Sequence, residues 1–144
     1  MLTLGLTIRW AELDVKSGEV SVGGDGNGLI SFTAKADIGR YLAHVLTKVP
    51  PLKLDWRILR IEGERTSLNR ILEQYTVKTG QKVNVTYRSK EELEAAVKAN
   101  PYDLPSFLQL VFVRGEGVVG KPEEVDNKEF PGWNPKTVVE ILAP

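Results

Sequence analysis

The sequence contains no cysteine, one histidine and one methionine. Without cysteine there is no disulfide framework, no thiolate metal site and no cysteine nucleophile. The lone histidine, His44, excludes a metal site built on two imidazoles and leaves one candidate for imidazole chemistry. Excess charge is missing as well: 19 Lys and Arg stand against 19 Asp and Glu, a formal net charge of zero. A nucleic-acid binder needs a concentrated basic surface to displace counterions from phosphates, so this balance argues against one. No run approaches the roughly 18 uninterrupted apolar residues of a membrane span. The N-terminus has no basic region ahead of its apolar residues, and Arg9, Glu12 and Asp14 interrupt it, so it reads poorly as a secretory signal. The expectation is a cytoplasmic protein with neither nucleic acid nor membrane as a partner.

What is present is an ordinary globular composition, 42% apolar and 26% charged over 144 residues. There is no internal repeat, low-complexity tract or dividing linker, and residues 1–144 read as a single unit. Ile38, Tyr41, Leu42, Val45, Leu46 and Val49 recur at helical spacing from Asp37, and Pro50-Pro51 stops the run. A second helix opens at Thr66 or Ser67, buries Leu68, Ile71, Leu72 and Tyr75, and ends at Gly80. A third starts at the capping box Ser89–Glu92 and ends at Asn100-Pro101. Leu104 to Val113 reads as a helix with almost no polar face, which should be buried on all sides. Asn134-Pro135 reads as the start of a last short helix.

Strand candidates are Glu19 to Val22, Leu29 to Thr33, Trp56 to Ile61 and the alternating Val83 to Arg88. Strands alternating with helices predict an α/β chain with crossover connections. The run GGDGNG from Gly23 to Gly28 invites a dinucleotide-binding reading, but no GxGxxG spacing exists in it. A strand rather than a helix follows it, so a plain loop or hairpin is expected. His44 reads as a boundary residue with one face packed, and Asp37 as a helix-start residue. The acidic groups Glu91 to Glu94 and Glu123-Glu124 read as solvated, and Trp10, Trp56 and Trp133 as core or interface anchors. The apolar helix running into Gly115, Gly117 and Gly120 suits a pocket wall, with glycines allowing close approach of backbone to ligand.

The order GDGN, ISFT, ADIGRYLAHVLT, then RILRIEGERTSLNRILEQYTVKTGQKVNVTYRS, FVRGEG and EFPGWNPKTVVEIL resembles the later part of NmrA-like, isoflavone-reductase-like proteins. These are atypical short-chain dehydrogenase/reductase relatives, and the wording around VLTKVPP and YRSKEELEA is most similar to fungal members. The resemblance runs from about Val20 to Pro144. It implies the C-terminal part of an NAD(P)-binding Rossmann-type fold, with Phe107, Val111, Phe112 and Gly115 lining a substrate pocket for a small apolar or aromatic molecule. In such proteins a Gly-rich fingerprint holds NADP(H) or NAD(H) and an upstream lysine is the general base. Both lie in the N-terminal part, and Met1 to Ser21 is shorter than the roughly thirty residues of a βαβ nucleotide site. No cofactor is therefore expected for this chain alone, no catalytic residue is carried over, and no metal is implied. The expected function is the substrate-binding portion of a reductase, inactive without its cofactor half; the alternative is a regulatory or protein-interaction module without catalysis. Apolar surface left uncovered by a missing half predicts self-association or a partner.

Overall fold

The computed structural model describes residues 14–144. Among these residues are four short strands: β1 (Glu19–Gly23), β2 (Ile30–Phe32), β3 (Glu64–Thr66) and β4 (Asn84–Arg88). Interspersed with them, among the same residues, are five α-helices: α1 (Lys35–Lys48), α2 (Leu68–Thr79), α3 (Lys90–Ala99), α4 (Leu104–Val113) and α5 (Val138–Leu142). β1 and β4 pair in parallel, from Glu19 opposite Asn84 to Gly23 opposite Arg88. β2 and β3 pair antiparallel, from Ile30 opposite Thr66 to Phe32 opposite Glu64. The α/β class with a crossover is therefore as the sequence implies. A β1–β2 hairpin is not formed, because each strand takes its partner from beyond α1.

The helix ends follow their local chemistry. Ser67 caps α2 by accepting the Arg70 N–H, and Gly80 closes it with φ 72°, a left-handed conformation that suits glycine. Ser89 and Glu92 form the reciprocal capping box of α3. α1 starts two residues before Asp37, from an Ala34 cap that offers no side-chain acceptor. The last helix corrects the expectation at Asn134-Pro135. Thr137 and Glu140 form the capping box there, while Asn134 turns aside to accept from the Arg40 guanidinium.

Two apolar clusters hold these elements. The larger joins Val20 and Val22 of β1, Ile30 and Phe32 of β2, Ile71, Leu72 and Tyr75 of α2, Leu108 and Phe112 of α4, and Val138 and Val139 of α5. Full burial of each aliphatic side chain stabilises by about 1.5–3 kcal/mol relative to exposure. The smaller cluster centres on Tyr41 and Val45 of α1 with Ile61, and Phe130 and Trp133 pack against it. α4 is not buried all round: Phe112 is 3% exposed, whereas Phe107 is 46% exposed. Trp56 to Ile61 is a second correction, since no strand forms there. Trp56 adopts φ 58°, and Leu52, Trp56 and Ile58 stand in solvent. The trailing half of that run is fixed instead through Asp126 and Asn127, whose side chains accept the N–H groups of Arg60 and Glu62.

Candidate functional site

The loop GGDGNG connects β1 to β2 across the N-terminal end of α2. Gly24 continues the parallel pairing by donating its N–H to the Arg88 carbonyl at 2.8 Å. Asp25 accepts the Asn27 N–H at 2.9 Å, a local turn closed by the side chain. Two of its glycines answer to close neighbours. A Cβ at Gly28 would lie 2.8 Å from the Phe112 carbonyl oxygen, and one at Gly26, where φ is 74°, would collide with the Asn69 carboxamide.

Between this loop and the end of α4 lies a cavity of about 300 Å³. Gly23, Gly24, Asp25, Gly26 and Gly28 of the loop form one side, and Ile30, Leu68, Phe112 and Val113 form an apolar wall. That volume is at the lower end of the range for small-molecule sites. The Asn27 backbone N–H holds the Asp25 carboxyl below the usual carboxylate range, so the loop carries a negative charge at neutral pH. A second recess of about 410 Å³ runs along β1 and β4 and is lined by Glu19, Ser21, Asn84, Thr86 and Arg88, with Val20 as its one apolar residue. The first cavity is the better candidate for an apolar ligand.

The four residues singled out from the sequence do not converge on one point. Phe112 lines the cavity. Val111 is half-buried against the main core. Phe107 is half-exposed, and Gly115 sits beyond the helix end with φ 74° and open space where a Cβ would be. The glycine-rich loop lacks a nucleotide fingerprint, so its sequence implies only a loop or hairpin. The pointer to it was the pair Asp25-Gly26 and Asn27-Gly28, which demands an unusual backbone, ahead of Ser67 and Asn69 at a helix start.

The N-terminus of α2 beside this loop does not suit the pyrophosphate of a dinucleotide. A pyrophosphate site uses free N–H groups at a helix N-terminus, but in α2 the Asn69 N–H is taken by the Gly26 carbonyl and the Arg70 N–H by Ser67. The ionised Asp25 beside that end would repel phosphate. No group of three or more histidine, aspartate and glutamate side chains among the described residues is placed to hold a metal ion. No helix among them is long and apolar enough to cross a membrane. The other candidates have local duties. His44 stacks on Phe130 with centroids 4.4 Å apart, and Asp37 is buried and paired with Arg40 at 2.8 Å. Glu94 pairs with Arg114, and Glu124 accepts the Lys121 N–H.

No protein-family model matches the chain, and no curated protein matches it either. Solved structures do. An isoflavone reductase superposes with TM-score 0.73 at 20% identity, covering 98% of this chain and 49% of its own. A leucoanthocyanidin reductase–NADPH complex from Vitis vinifera superposes with TM-score 0.67 at 23% identity, covering 86% of this chain and 43% of its own. An NADPH-dependent quinone oxidoreductase from Escherichia coli superposes with TM-score 0.70 at 17% identity, covering 99% and 51%. The chain thus has the fold of a part of isoflavone-reductase-like NAD(P)-binding proteins, and spans about half the length of the structures it matches.

Proposed function

We propose that this chain is the substrate-binding portion of an NmrA-like, isoflavone-reductase-like oxidoreductase, and that it takes a small apolar aromatic molecule. The cavity between the glycine-rich loop and Phe112 carries this reading, because its wall is apolar and its size suits one or two fused rings. The names of the matched proteins support it: isoflavones, leucoanthocyanidins and quinones are all ring compounds. NADP(H) or NAD(H) would be held by polypeptide outside the described residues, since α2 and Asp25 do not suit its phosphates. The chain alone is then inactive as a reductase and resides in the cytoplasm. The likeness of its wording to fungal members belongs to the same reading.

Phe112 is the one residue that both the sequence and the cavity point to, with Phe107 and Val111 as its flanks on α4 and Gly115 just beyond the helix end. The test is titration of the ¹⁵N-labelled chain with 2-naphthol and, separately, with NADPH. Shifts at Gly24, Gly26, Gly28 and Val113 on adding 2-naphthol are expected, with no saturable response to NADPH. Binding of 2-naphthol elsewhere, or none, overturns the substrate-site reading, and micromolar affinity for NADPH overturns the placement of the cofactor.

Exposed Leu52, Trp56 and Ile58 give a reason for a protein partner as well, either a cofactor-binding half or a second copy. Sedimentation at tens of micromolar is expected to show a species heavier than one chain, and a monomer there removes the second copy.

A further inference from the structure

The middle of the glycine-rich loop, Asp25 to Asn27, is tied down through a single residue. Asn69, the second residue of α2, donates from Nδ2 to the Asp25 carbonyl at 2.8 Å and to Asn27 Oδ1 at 3.0 Å. Its own backbone N–H donates to the Gly26 carbonyl at 3.1 Å. On the far side, the Tyr87 hydroxyl donates to Asn69 Oδ1 at 2.9 Å. The Asp25 carbonyl can only accept, so the amide must turn its NH₂ end to the loop and its oxygen to Tyr87. Among the described residues, every hydrogen bond that Asp25, Gly26 and Asn27 make to the rest of the chain ends on Asn69.

We propose that Asn69, oriented by Tyr87, is a positioning residue that holds the Gly23–Gly28 loop as one wall of the cavity. Neither side chain lines that cavity. Ligand affinity there is then set by an amide and a phenol that the ligand does not touch. The inference rests on the ligand-binding reading above and deepens it. Three elements meet in this latch: β4 supplies the phenol, α2 the amide, and the β1–β2 connection the acceptors. Gly26 belongs to it, because the space of its absent Cβ is filled by the Asn69 carboxamide. The chemistry is specific to an amide at this position. Aspartate would set acceptors against the acceptors Asp25 O and Asn27 Oδ1, next to an ionised Asp25.

Three variants and one control test it. N69A and N69D remove or invert the latch, and Y87F deletes the orienting hydroxyl at a half-exposed site where the fold should persist. S67A weakens the start of α2 without touching the loop. Two measurements are made on each: affinity for 2-naphthol, and amide hydrogen exchange residue by residue. N69A is expected to weaken 2-naphthol by about tenfold, which corresponds to about 1.4 kcal/mol. Exchange at Gly24 and Asn27, whose N–H groups are hydrogen-bonded in the loop, should quicken by a similar factor, while Ile71 and Leu72 follow the S67A control. N69D should be at least as severe. Y87F should give a smaller loss that vanishes in the N69A background, as coupled residues do.

The proposal is overturned if N69A and S67A weaken 2-naphthol equally, or if N69A speeds exchange along α2 as much as in the loop. Should N69A and N69D not fold, Y87F decides: unchanged affinity and unchanged loop exchange overturn it. If the unaltered chain binds no 2-naphthol, the substrate-site reading is what fails. Loop-confined exchange in N69A would then still uphold the latch, and its absence would overturn that too.

Discussion

Asp37 and Lys136 stand 99 positions apart and share one hydrogen bond, the Lys136 N–H donating to Asp37 Oδ2 at 2.9 Å. The other carboxylate oxygen accepts from Arg40, and the side chain is nearly inaccessible. A helix-start aspartate has thus become the anchor of the segment that leads into α5. Asp37→Ala leaves the Lys136 N–H without its acceptor and the Arg40 guanidinium without its partner. A loss of about 2–3 kcal/mol is expected. Asp37→Asn keeps an acceptor for the N–H and should cost less. Urea unfolding of both variants checks the order, and equal losses would contradict it.

Tyr41 provides a test at high pH. Its hydroxyl donates to the Asp126 carbonyl at 2.8 Å. Burial, then the charges of Asp126 and Glu129, push the phenol up from 10.0 to about 12. The raised value means that Tyr41's contribution is fully present below pH 10 and is lost as pH rises through about 12. A late step in tyrosinate absorbance is expected, and Tyr41→Phe should abolish it. The same substitution removes a hydrogen bond and should lower stability by about 1 kcal/mol.

The acid limb has the opposite sign. Hydrogen bonds from the Ser106 side chain and backbone hold Asp103 below 3.8, and the Thr137 backbone N–H holds Glu140 below 4.5. Depressed values mean that their contributions are complete above those ordinary values and disappear as pH falls through the lowered ones. Stability measured by urea midpoints should therefore hold down to about pH 4.5 and decline below it. Asp103→Ala removes the cap of α4, should lower stability at neutral pH by about 1 kcal/mol, and should flatten the acid slope. An unaltered slope would contradict the assignment.

Gly28 and Gly115 separate crowding from backbone conformation. An alanine methyl at Gly28 meets the Phe112 carbonyl at 2.8 Å, backbone against backbone, so the loop or the end of α4 must shift. Gly28→Ala is expected to cost about 1–3 kcal/mol and to weaken 2-naphthol. At Gly115 a methyl meets open space, and only its φ of 74° opposes alanine. Gly115→Ala should cost about 1 kcal/mol and leave 2-naphthol affinity unchanged. Equal effects on binding would place Gly115 at the cavity as well.

The helices were legible in the sequence because their signals are local. Ser67, Gly80 and the Ser89–Glu92 box each act within one turn, and each sits where the pattern implies. The start of α5 was misplaced because Asn134, a good cap in isolation, is claimed by Arg40 from far along the chain. Strand partners were illegible for the same reason. β1 finds β4 rather than its neighbour β2, a choice decided by the shared core and not by the turn dipeptides between them. The cavity was half legible. Phe112 stands out as part of an apolar run, but the role of Gly23 to Gly28 depends on Asn69, more than forty residues away. Trp56 to Ile61 has the composition of a strand, but the Arg60 N–H is met by the Asp126 side chain, and the Glu62 N–H just beyond it by Asn127, in place of a neighbouring strand.

The parallel register of β1 with β4 has a kinetic consequence. Everything from Gly24 to Val83 lies in the excursion that this pairing closes. The entropy of closing so long a loop must be spent before any of the five paired positions rewards it. During synthesis β1 emerges ahead of α1, the β2–β3 pair and α2, all of which lie within the loop. Its parallel partner reaches it only when Arg88 has cleared the ribosome. Loop closure therefore favours the β2–β3 pair, which spans fewer residues, ahead of the β1–β4 pair.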